Sequence, residues 1–399
     1  MAKPEIRLKG FNGEWNPVIL KDILTERHLL STITDDLPQL SFTIQEGVIY
    51  PENRLTNKRD FLIKDIVNKK YLVTRYDDII YNPANVIHGA IHRNKLCDGV
   101  VSPIYKIFET NQNSKYVECI VRRASFIKRM TVFMEGTVMK LRTLKPESFL
   151  NMSTFVSGDT QEQKSIADFF MSLDSMILAT TKKIASLKQM KSAALVSMFP
   201  QAGETKPRVR FKGFEGEWGS SSAAKLFITY NERNSPDLPV LSACQDIRGM
   251  AKRSESGYDI SHDKTNEITY KVVKPGQFVI HLRSFQGGFA HSSIEGITSP
   301  AYTVFGFKDS QLHDDYFWKI IFMSKQFIKR LETITYGIRD GKSIGFKEFS
   351  EMDFLFPSKQ EQKKIASYFK SLDKQISLQE QRLEKLKQIK AACLDKMFV

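Results

Sequence analysis

The stretch Gln161-Glu162-Gln163-Lys164, followed by Ile166-Ala167 and Ser172-Leu173-Asp174, decides the fold because the chain contains it twice. The same residues return between Gln360 and Phe398, a shift of 199 residues from position 161 to position 360, and about half of the compared positions are identical. Self-similarity at a fixed period is the sequence sign of a duplicated architecture. The chain is therefore predicted to contain two related halves.

A second pair of phrases supports the duplication. Arg7-Leu8-Lys9-Gly10-Phe11-Asn12-Gly13-Glu14-Trp15 returns as Arg210-Phe211-Lys212-Gly213-Phe214-Glu215-Gly216-Glu217-Trp218. Between these echoes the halves share only short phrases, such as Ser102-Pro103-Ile104-Tyr105 and Ser299-Pro300-Ala301-Tyr302. The connecting segments of the two halves therefore match, whereas their globular segments have diverged. This pattern is typical of two similar modules that are held in one fixed arrangement but bind different targets.

The duplicated stretches have the apolar spacing of long amphipathic helices. Apolar residues recur at steps of three, four or seven from Ile166 to Met198 and from Ile365 to Met397. Asp159-x-x-Glu162 and Ser358-x-x-Glu361 are capping-box signatures, which place the helix starts and predict a returned bond from each glutamate. A rod of roughly 35 residues would be about 50 Å long and needs a partner helix.

The segments between the rods alternate short β-branched or aromatic runs with turns. Strands are predicted at Tyr71 to Thr74, Ile79 to Tyr81, Tyr270 to Val273 and Phe278 to His281, with helix between Tyr316 and Thr333. We expect an α/β (α+β) fold of two similar domains and two long antiparallel coiled-coil helices with a pseudo-twofold repeat. The predicted segments are 1–158, 159–200, 201–357 and 358–399, in which domains and long helices alternate.

Composition and charge narrow the functional classes. The 399 residues exceed one ordinary domain, and 41% hydrophobic with 26% charged residues is typical of globular proteins. Lysine and arginine total 59 against 45 acidic residues, so the formal net charge is +14. This excess favours a polyanionic partner, with nucleic acid first and an anionic membrane surface second.

Targeting, membrane and cysteine signals predict a cytoplasmic protein. Residues 1–11 lack the apolar core of a signal peptide, and no window approaches about 18 apolar residues in a row. Cys97, Cys119, Cys244 and Cys393 are isolated from one another and from histidine at ligand spacing, which predicts neither disulfides nor a zinc site.

Three motifs carry a family resemblance. They are Gly-Phe-x-Gly-Glu-Trp in both halves, Ser-Pro-x-Tyr in both halves, and the helix start from Pro357 to Ile365, although the first copy has Ser157-Gly158-Asp159 where a proline is more usual. Together they resemble the specificity subunit of type I restriction-modification enzymes over the whole chain. The resemblance implies two target-recognition domains that each read half of a split DNA site, with the helices acting as a ruler.

The same resemblance implies partners and cofactors. Two modification (methyltransferase) subunits would bind the helices and restriction (translocase/endonuclease) subunits would join them. S-adenosylmethionine, ATP and magnesium would then belong to those partners, with no cofactor in this chain.

Basic and amide residues crowd the turns that follow strands, which predicts the double-stranded DNA contacts. Arginine and lysine donate to guanine edges, and asparagine and glutamine pair with adenine, whereas many surface cations only hold phosphate. In the first domain the candidates are Asn82, Asn85, His88, His92, Arg93, Asn94 and Lys95. In the second they are Arg248, Lys252, Arg253, Arg283, Ser284, Phe285, Gln286 and His291. A third, glycine-containing cluster comprises Tyr336, Arg339, Lys342 and Ser343, matched by Lys140 and Arg142 in the first half.

Catalytic motifs are missing from the sequence. It contains no Gly-x-x-x-x-Gly-Lys-Ser/Thr phosphate loop, and Tyr81-Asn82-Pro83-Ala84 only faintly resembles the Asn-Pro-Pro-Tyr loop of adenine methyltransferases. We therefore predict a non-catalytic DNA-recognition subunit. Two alternatives stay open: a self-contained DNA adenine methyltransferase or nuclease, and a coiled-coil adaptor without a DNA role.

The outer faces of the rods carry lysines and some off-seam apolar residues. The lysines, which include Lys188, Lys191 and Lys390, fit a solvated face. Phe169, Met171, Tyr368 and Leu378 fall partly off the seam, so they are predicted to bind the partner subunits.

Overall fold

The computed structural model describes residues 2–54, 69–136, 142–244, 249–255, 264–334 and 344–399, with the backbone only at 255, 264–266 and 285. These residues form two compact units. The first joins Met1–Thr181 to Arg382–Val399, and the second is Lys182–Gln381. The units cut across the predicted segments because each long helix contributes to both.

The first unit is a mixed α/β domain. Its strands are β1 (Asn16–Ile19), β2 (Leu24–Glu26), β3 (Leu30–Ser31), β4 (Ser41–Thr43), β5 (Gly47–Ile49), β6 (Tyr71–Thr74), β7 (Ile79–Tyr81), β8 (Ile91–Arg93), β9 (Gly99–Val101), β10 (Lys106–Thr110) and β11 (Ser153–Val156). Its helices are α1 (Ser114–Val121), α2 (Ala124–Val132), α3 (Pro146–Leu150) and the start of α4 (Thr160–Ser197). An antiparallel sheet in the order β2-β10-β7-β8 forms its centre.

The second unit repeats this order. Its strands are β12 (Gly219–Ser222), β13 (Phe227–Tyr230), β14 (Leu241–Ala243), β15 (Met250–Lys252), β16 (Lys271–Val273), β17 (Phe278–Ile280), β18 (Ala290–His291), β19 (Gly296–Thr298), β20 (Thr303–Phe307) and β21 (Asp353–Phe356). Its helices are α5 (Ala223–Leu226), α6 (Ser284–Gly287), α7 (Asp315–Phe322), α8 (Lys325–Ile334), α9 (Phe346–Ser350) and the start of α10 (Lys359–Lys396). The central order β13-β20-β17-β18 is the counterpart of the first sheet.

The fold predictions from the sequence are confirmed. Each predicted strand lies within one residue of an observed strand, and both long helices begin directly after the predicted capping residue. The helix predicted between Tyr316 and Thr333 is instead two helices, α7 and α8. In each unit the start of one long helix packs beside the end of the other, as the antiparallel prediction requires.

The capping box predicted for the first long helix is only half correct. Asp159 accepts bonds from the amides of Gln161 and Glu162 at 2.8 and 3.2 Å, as predicted. The carboxylate of Glu162, however, lies fully buried and accepts from Arg7 Nε and Nη2 at 2.6 and 2.8 Å. A guanidinium offers a bidentate, charge-assisted partner, which competes well against a single backbone amide.

The repeated motifs match because they contact one another. Arg210 pairs with Glu361 at 2.6 and 2.7 Å, in the way that Arg7 pairs with Glu162. Arg210 also donates to the carbonyl of Gly216 at 2.6 Å, and Arg7 to that of Gly13 at 2.5 Å. Each repeated arginine therefore joins the phrase at the start of its domain to the start of a long helix.

The second glutamine of each Gln-Glu-Gln motif joins the long helix to a shorter one. Gln163 accepts from the amide of Asn113 at 3.4 Å, and Gln362 accepts from the amide of Asp314 at 3.0 Å. Asn113 and Asp314 are the N-caps of α1 and α7. Both copies of the motif thus seat a helix of their own domain.

The helix ends also pair through charged residues. Lys390 pairs with Asp174 in the first unit, and Lys191 pairs with Asp373 at 2.5 Å in the second. Lys188 pairs with Glu380 at 2.7 Å. The three lysines, which were predicted to lie on a solvated face, thus each also reach a carboxylate on the neighbouring helix, and Lys188 is still 58% exposed.

Candidate nucleic-acid interface

Two loops at the same place in the two central sheets carry seven of the predicted DNA contacts. The first joins β7 to β8 and contains a 3₁₀ turn at Val86–His88, and the second joins β17 to β18 and contains α6. Both turns end at a glycine with positive φ, at Gly89 (+81°) and Gly288 (+79°). A Cβ on Gly288 would lie 1.9 Å from the carbonyl oxygen of Phe322, so this position excludes every side chain.

Local hydrogen bonds fix the first loop. Asn82 Oδ1 accepts from the amides of Ala84 and Asn85 at 3.1 and 3.3 Å, a local turn that suits asparagine. His88 is exposed, whereas Asn82 and Asn85 are half-buried. A cleft of about 600 Å³ beside the loop is lined by both asparagines together with Lys106 and Lys145. The loop therefore presents amide, imidazole and ammonium groups on a fixed backbone.

The second loop is held by its own first residues. Ser284 Oγ accepts from the amide of His281 at 2.8 Å, and His281 Nδ1 accepts from the amide of Arg283 at 3.3 Å. Burial lowers the pKa of His281 to about 4, which keeps the ring neutral and able to accept. Arg283 and Gln286 are exposed on this anchored turn. Phe285 lies in α6, and its side chain is outside the described residues.

Three candidates of the first domain serve the fold instead. His92 is 1% exposed and forms a hydrogen bond through Nε2 with the carbonyl of Ile44 at 2.8 Å, and burial lowers its pKa to about 4. Arg93 pairs with Asp77 and Glu118. The side-chain amide of Asn94 donates through Nδ2 to the carbonyl of Cys97 at 2.8 Å. Their predicted DNA contacts are corrected, because buried and bonded side chains do not reach a base edge.

Two candidates of the second domain are corrected in the same way. Ser284 is 1% exposed and its hydroxyl holds His281, as described above. His291 is 4% exposed, and its Nε2 forms a hydrogen bond of 2.6 Å with Asp315 Oδ2. This contact lowers the pKa of Asp315 below its usual value.

His92 and His291 lie in the equivalent strands β8 and β18, each beneath a hairpin, although the strand register makes His291 the counterpart of Arg93. Gly47, the first residue of β5, lies close to His92. A Cβ on Gly47 would lie 2.6 Å from the Cβ of His92. A Cβ on Gly249, which precedes β15, would lie 2.2 Å from the carbonyl oxygen of His291. The hairpins β4-β5 and β14-β15 are thus seated directly on the two histidines.

A sequence signal for these hairpins was missed. Leu37-Pro38-x-Leu40-Ser41 returns as Leu238-Pro239-x-Leu241-Ser242 and opens each hairpin. Each proline carbonyl lies close to the glycine that opens a neighbouring strand, Gly99 of β9 or Gly296 of β19. A Cβ on Gly99 would lie 2.7 Å from the carbonyl oxygen of Pro38, and a Cβ on Gly296 would lie 2.4 Å from that of Pro239. The repeat therefore extends into the globular part of each unit.

The other candidates stay predictions. Lys95 is exposed and pairs with Glu118 at 2.8 Å, and Arg142 donates to the carbonyl of Met134 at 2.9 Å. Lys252 is exposed at the end of β15, and Arg253 donates to Ser242 Oγ at 3.4 Å. The candidates Lys140, Arg248, Tyr336, Arg339, Lys342 and Ser343 lie outside the described residues.

The predicted partner-binding residues divide by exposure. Met171 and Leu378 are 39% and 52% exposed, which leaves their side chains available to another protein. Phe169 is half-buried against Phe170, and Tyr368 packs against Phe211 and Phe369. The two aromatic residues therefore already stabilise their own unit.

Neither a cluster of metal ligands nor a membrane-spanning helix is found among the described residues. Within them, no group of three histidine, cysteine, aspartate or glutamate side chains could hold a metal ion. No helix in this part of the chain is long and apolar enough to span a membrane.

Comparison with known proteins relates the second half of the chain to one family and its fold to solved structures. Residues 216–388 match the family described as "Type I restriction modification DNA specificity domain". The crystal structure of a type I restriction-modification system S subunit from M. genitalium is similar over 100% of this chain and 99% of its own, with a TM-score of 0.61 and 13% identity. The HsdS subunit from Thermoanaerobacter tengcongensis matches over 96% of both chains with 15% identity and a TM-score of 0.44, too low to support an argument. No curated protein gives a match.

The fold and the loops define an internally duplicated α/β protein, in which equivalent loops carry different exposed side chains. The family match lies on the second copy, and the first copy repeats its motifs and their contacts. The matched segment, residues 216–388, is therefore similar to type I restriction-modification DNA specificity domains, and the fold of the whole chain is similar to that of a type I S subunit.

Proposed function

We propose that this chain reads a bipartite, asymmetric DNA site and serves as the assembly platform of a type I restriction-modification complex. The observation that carries the proposal is the pair of equivalent loops after β7 and β17. Each contains a short helical turn that ends at a glycine, but the two loops differ in their exposed side chains. Each loop reads a few base pairs of one half-site. Because Arg283 suits guanine and the asparagines of the first loop suit adenine, the two half-sites differ.

Modification subunits bind the long helices, and Met171 and Leu378 provide exposed apolar contacts for them. Restriction subunits join the assembled complex. S-adenosylmethionine, ATP and magnesium belong to these partners, which supply methylation and cleavage while this chain selects the site. The chain's net charge of +14 supports attraction to DNA phosphates.

Methylation-sensitive sequencing of a host that carries this chain with its modification subunit tests the proposal. We expect a methylated motif of two short, different half-sites separated by a spacer. A continuous motif or a perfect palindrome would contradict the bipartite assignment. Methyl transfer to DNA by the isolated chain would instead support the alternative of a self-contained methyltransferase.

Substitution of the second loop should affect one half-site only. Arg283→Ala and Gln286→Ala each remove an exposed donor, and loss of a base contact costs about 1 to 3 kcal/mol, or roughly 5- to 150-fold in affinity. The measurement is a binding titration against duplexes with either half-site scrambled.

Two comparisons control this titration. Asn85→Ala in the first loop should weaken recognition of the other half-site, and Arg208→Ala, which removes a linker arginine paired with Glu204, should change neither. If Arg283→Ala weakens binding equally on every sequence, Arg283 contacts phosphate rather than a base.

A further inference from the structure

A groove of about 250 Å³ lies in the first unit, between α1, the start of α4 and the end of α10. Ala167, Phe170 and Leu394 are among its apolar lining residues, and Met171 and Leu178 extend its apolar surface. Leu178 is 56% exposed, and Met171, about two turns before it in the helix, is 39% exposed. An exposed apolar surface of this kind, bordered by polar groups, is typical of a protein-binding site.

The rim of the groove is basic. Five cations, Arg93, Lys95, Lys115, Arg122 and Lys390, face two carboxylates, Glu118 and Asp174. Both carboxylates are already paired, Glu118 with Lys95 at 2.8 Å and with two arginines, and Asp174 with Lys390. Burial alone would raise the pKa of Glu118, but these neighbouring cations hold it below its usual value. The rim therefore keeps an excess of positive charge.

Lys115 is the cation with the capacity for a new partner. Within the described part of the chain it forms no ion pair, and it lies in the first turn of α1, at the edge of the groove. A carboxylate brought to this point would gain a charge-assisted hydrogen bond without displacing an existing one.

The second unit has a different residue at the position of Lys115. Tyr316 stands in α7 where Lys115 stands in α1, as the second residue of the helix. Its hydroxyl donates to Asp373 Oδ2 at 2.8 Å, and Lys370 Nζ lies 5.8 Å from its ring centroid. Asp373 is the repeat counterpart of Asp174, and Lys370 is that of Met171. An aromatic ring thus lies over the surface that is an open groove in the first unit.

We infer that the groove of the first unit binds an apolar segment of a modification subunit that also carries acidic residues, with a carboxylate on Lys115 and apolar side chains on Met171 and Leu178. The inference rests on the proposed function and deepens it. The apolar lining favours protein over DNA, because duplex phosphates offer nothing to bury Leu178 or Met171. Since the second unit carries Tyr316 instead, the two modification subunits bind with unequal affinities.

Native mass spectrometry of the full chain, titrated with the modification subunit of the same system, tests the inference. We expect two binding steps of different affinity. Lys115→Tyr, which copies the second unit, should weaken the tighter step by at least about tenfold, the value of one charge-assisted hydrogen bond. Leu178→Glu, at an exposed position, should do the same by placing a negative charge among the apolar contacts.

The matched control is Lys128→Tyr, the same substitution at an exposed lysine of α2 outside the groove, which should leave both steps unchanged. Two equal steps in the unsubstituted chain would overturn the inference and leave the proposed function intact. Weaker duplex DNA binding by Lys115→Tyr, with the modification-subunit steps unchanged, would assign the groove to nucleic acid. A chain that binds DNA but no modification subunit would overturn the assembly role itself.

Discussion

Replacing Phe398 with alanine should lower the free energy of unfolding by about 3 to 5 kcal/mol, the usual cost of deleting a buried phenyl ring. Phe398 is the residue before the last, yet it is only 4% exposed. Its ring centroid lies 5.7 Å from that of Trp15, 5.6 Å from that of Tyr116 and 6.0 Å from that of Phe170. The end of the chain therefore completes the core of the first unit, and its loss leaves a cavity.

Denaturant unfolding followed by circular dichroism would measure this effect. Phe133→Ala is the matched control, because Phe133 directly follows α2 and is 42% exposed, so its substitution should cost well under 1 kcal/mol. Phe199→Ala should resemble Phe398→Ala, since Phe199 packs on Trp218 at 5.8 Å in the second unit. Equal stability of the Phe398→Ala and Phe133→Ala chains would show that the C-terminal residues do not belong to the core.

Replacing Arg7 with methionine should also destabilise the chain by about 3 to 5 kcal/mol, because the substitution leaves a buried carboxylate without its cation. Glu162 is 0% exposed and accepts two bonds from Arg7 and one from Trp15 Nε1 at 3.2 Å. Methionine replaces the unbranched aliphatic part of the arginine side chain, so the loss reports mainly on charge and hydrogen bonding.

The control is Arg208→Met, which removes a pair with Glu204 at 2.9 Å on the surface and should cost at most about 1 kcal/mol. Adding Glu162→Gln to Arg7→Met should recover part of the lost stability, since the buried charge disappears with little change in volume. If the double substitution is no more stable than Arg7→Met alone, the uncompensated charge is not the cause.

Several site predictions failed for a common reason. His92, Arg93 and Asn94 follow a polar loop in the sequence, and their residue types suit base contacts. They nevertheless belong to β8 and its end, where they bond to Ile44, Glu118 and Cys97, residues that the local sequence does not indicate as neighbours. Residue type and loop proximity do not report burial, which depends on segments that return from elsewhere in the chain.

The sequence by itself determined the duplication, the two long helices and the α/β class. Those properties follow from the sequence repeats and from the spacing of apolar residues, both of which can be observed without knowing any tertiary contact. The matching of Arg7 with Arg210 and of Glu162 with Glu361 was visible, but not the fact that each arginine binds a glutamate about 150 residues away.

Only the tertiary structure decided which segments complete each unit. The first unit takes Met397 and Phe398 from the end of the chain, and the second takes Met198 and Phe199 from the end of α4. The tertiary structure also decided that Lys115 borders an open groove in the first unit, whereas Tyr316 forms a hydrogen bond with Asp373 in the second. Contacts of this kind depend on the path of the folded chain, because an apolar helix face specifies that it will be buried but not which residues will cover it.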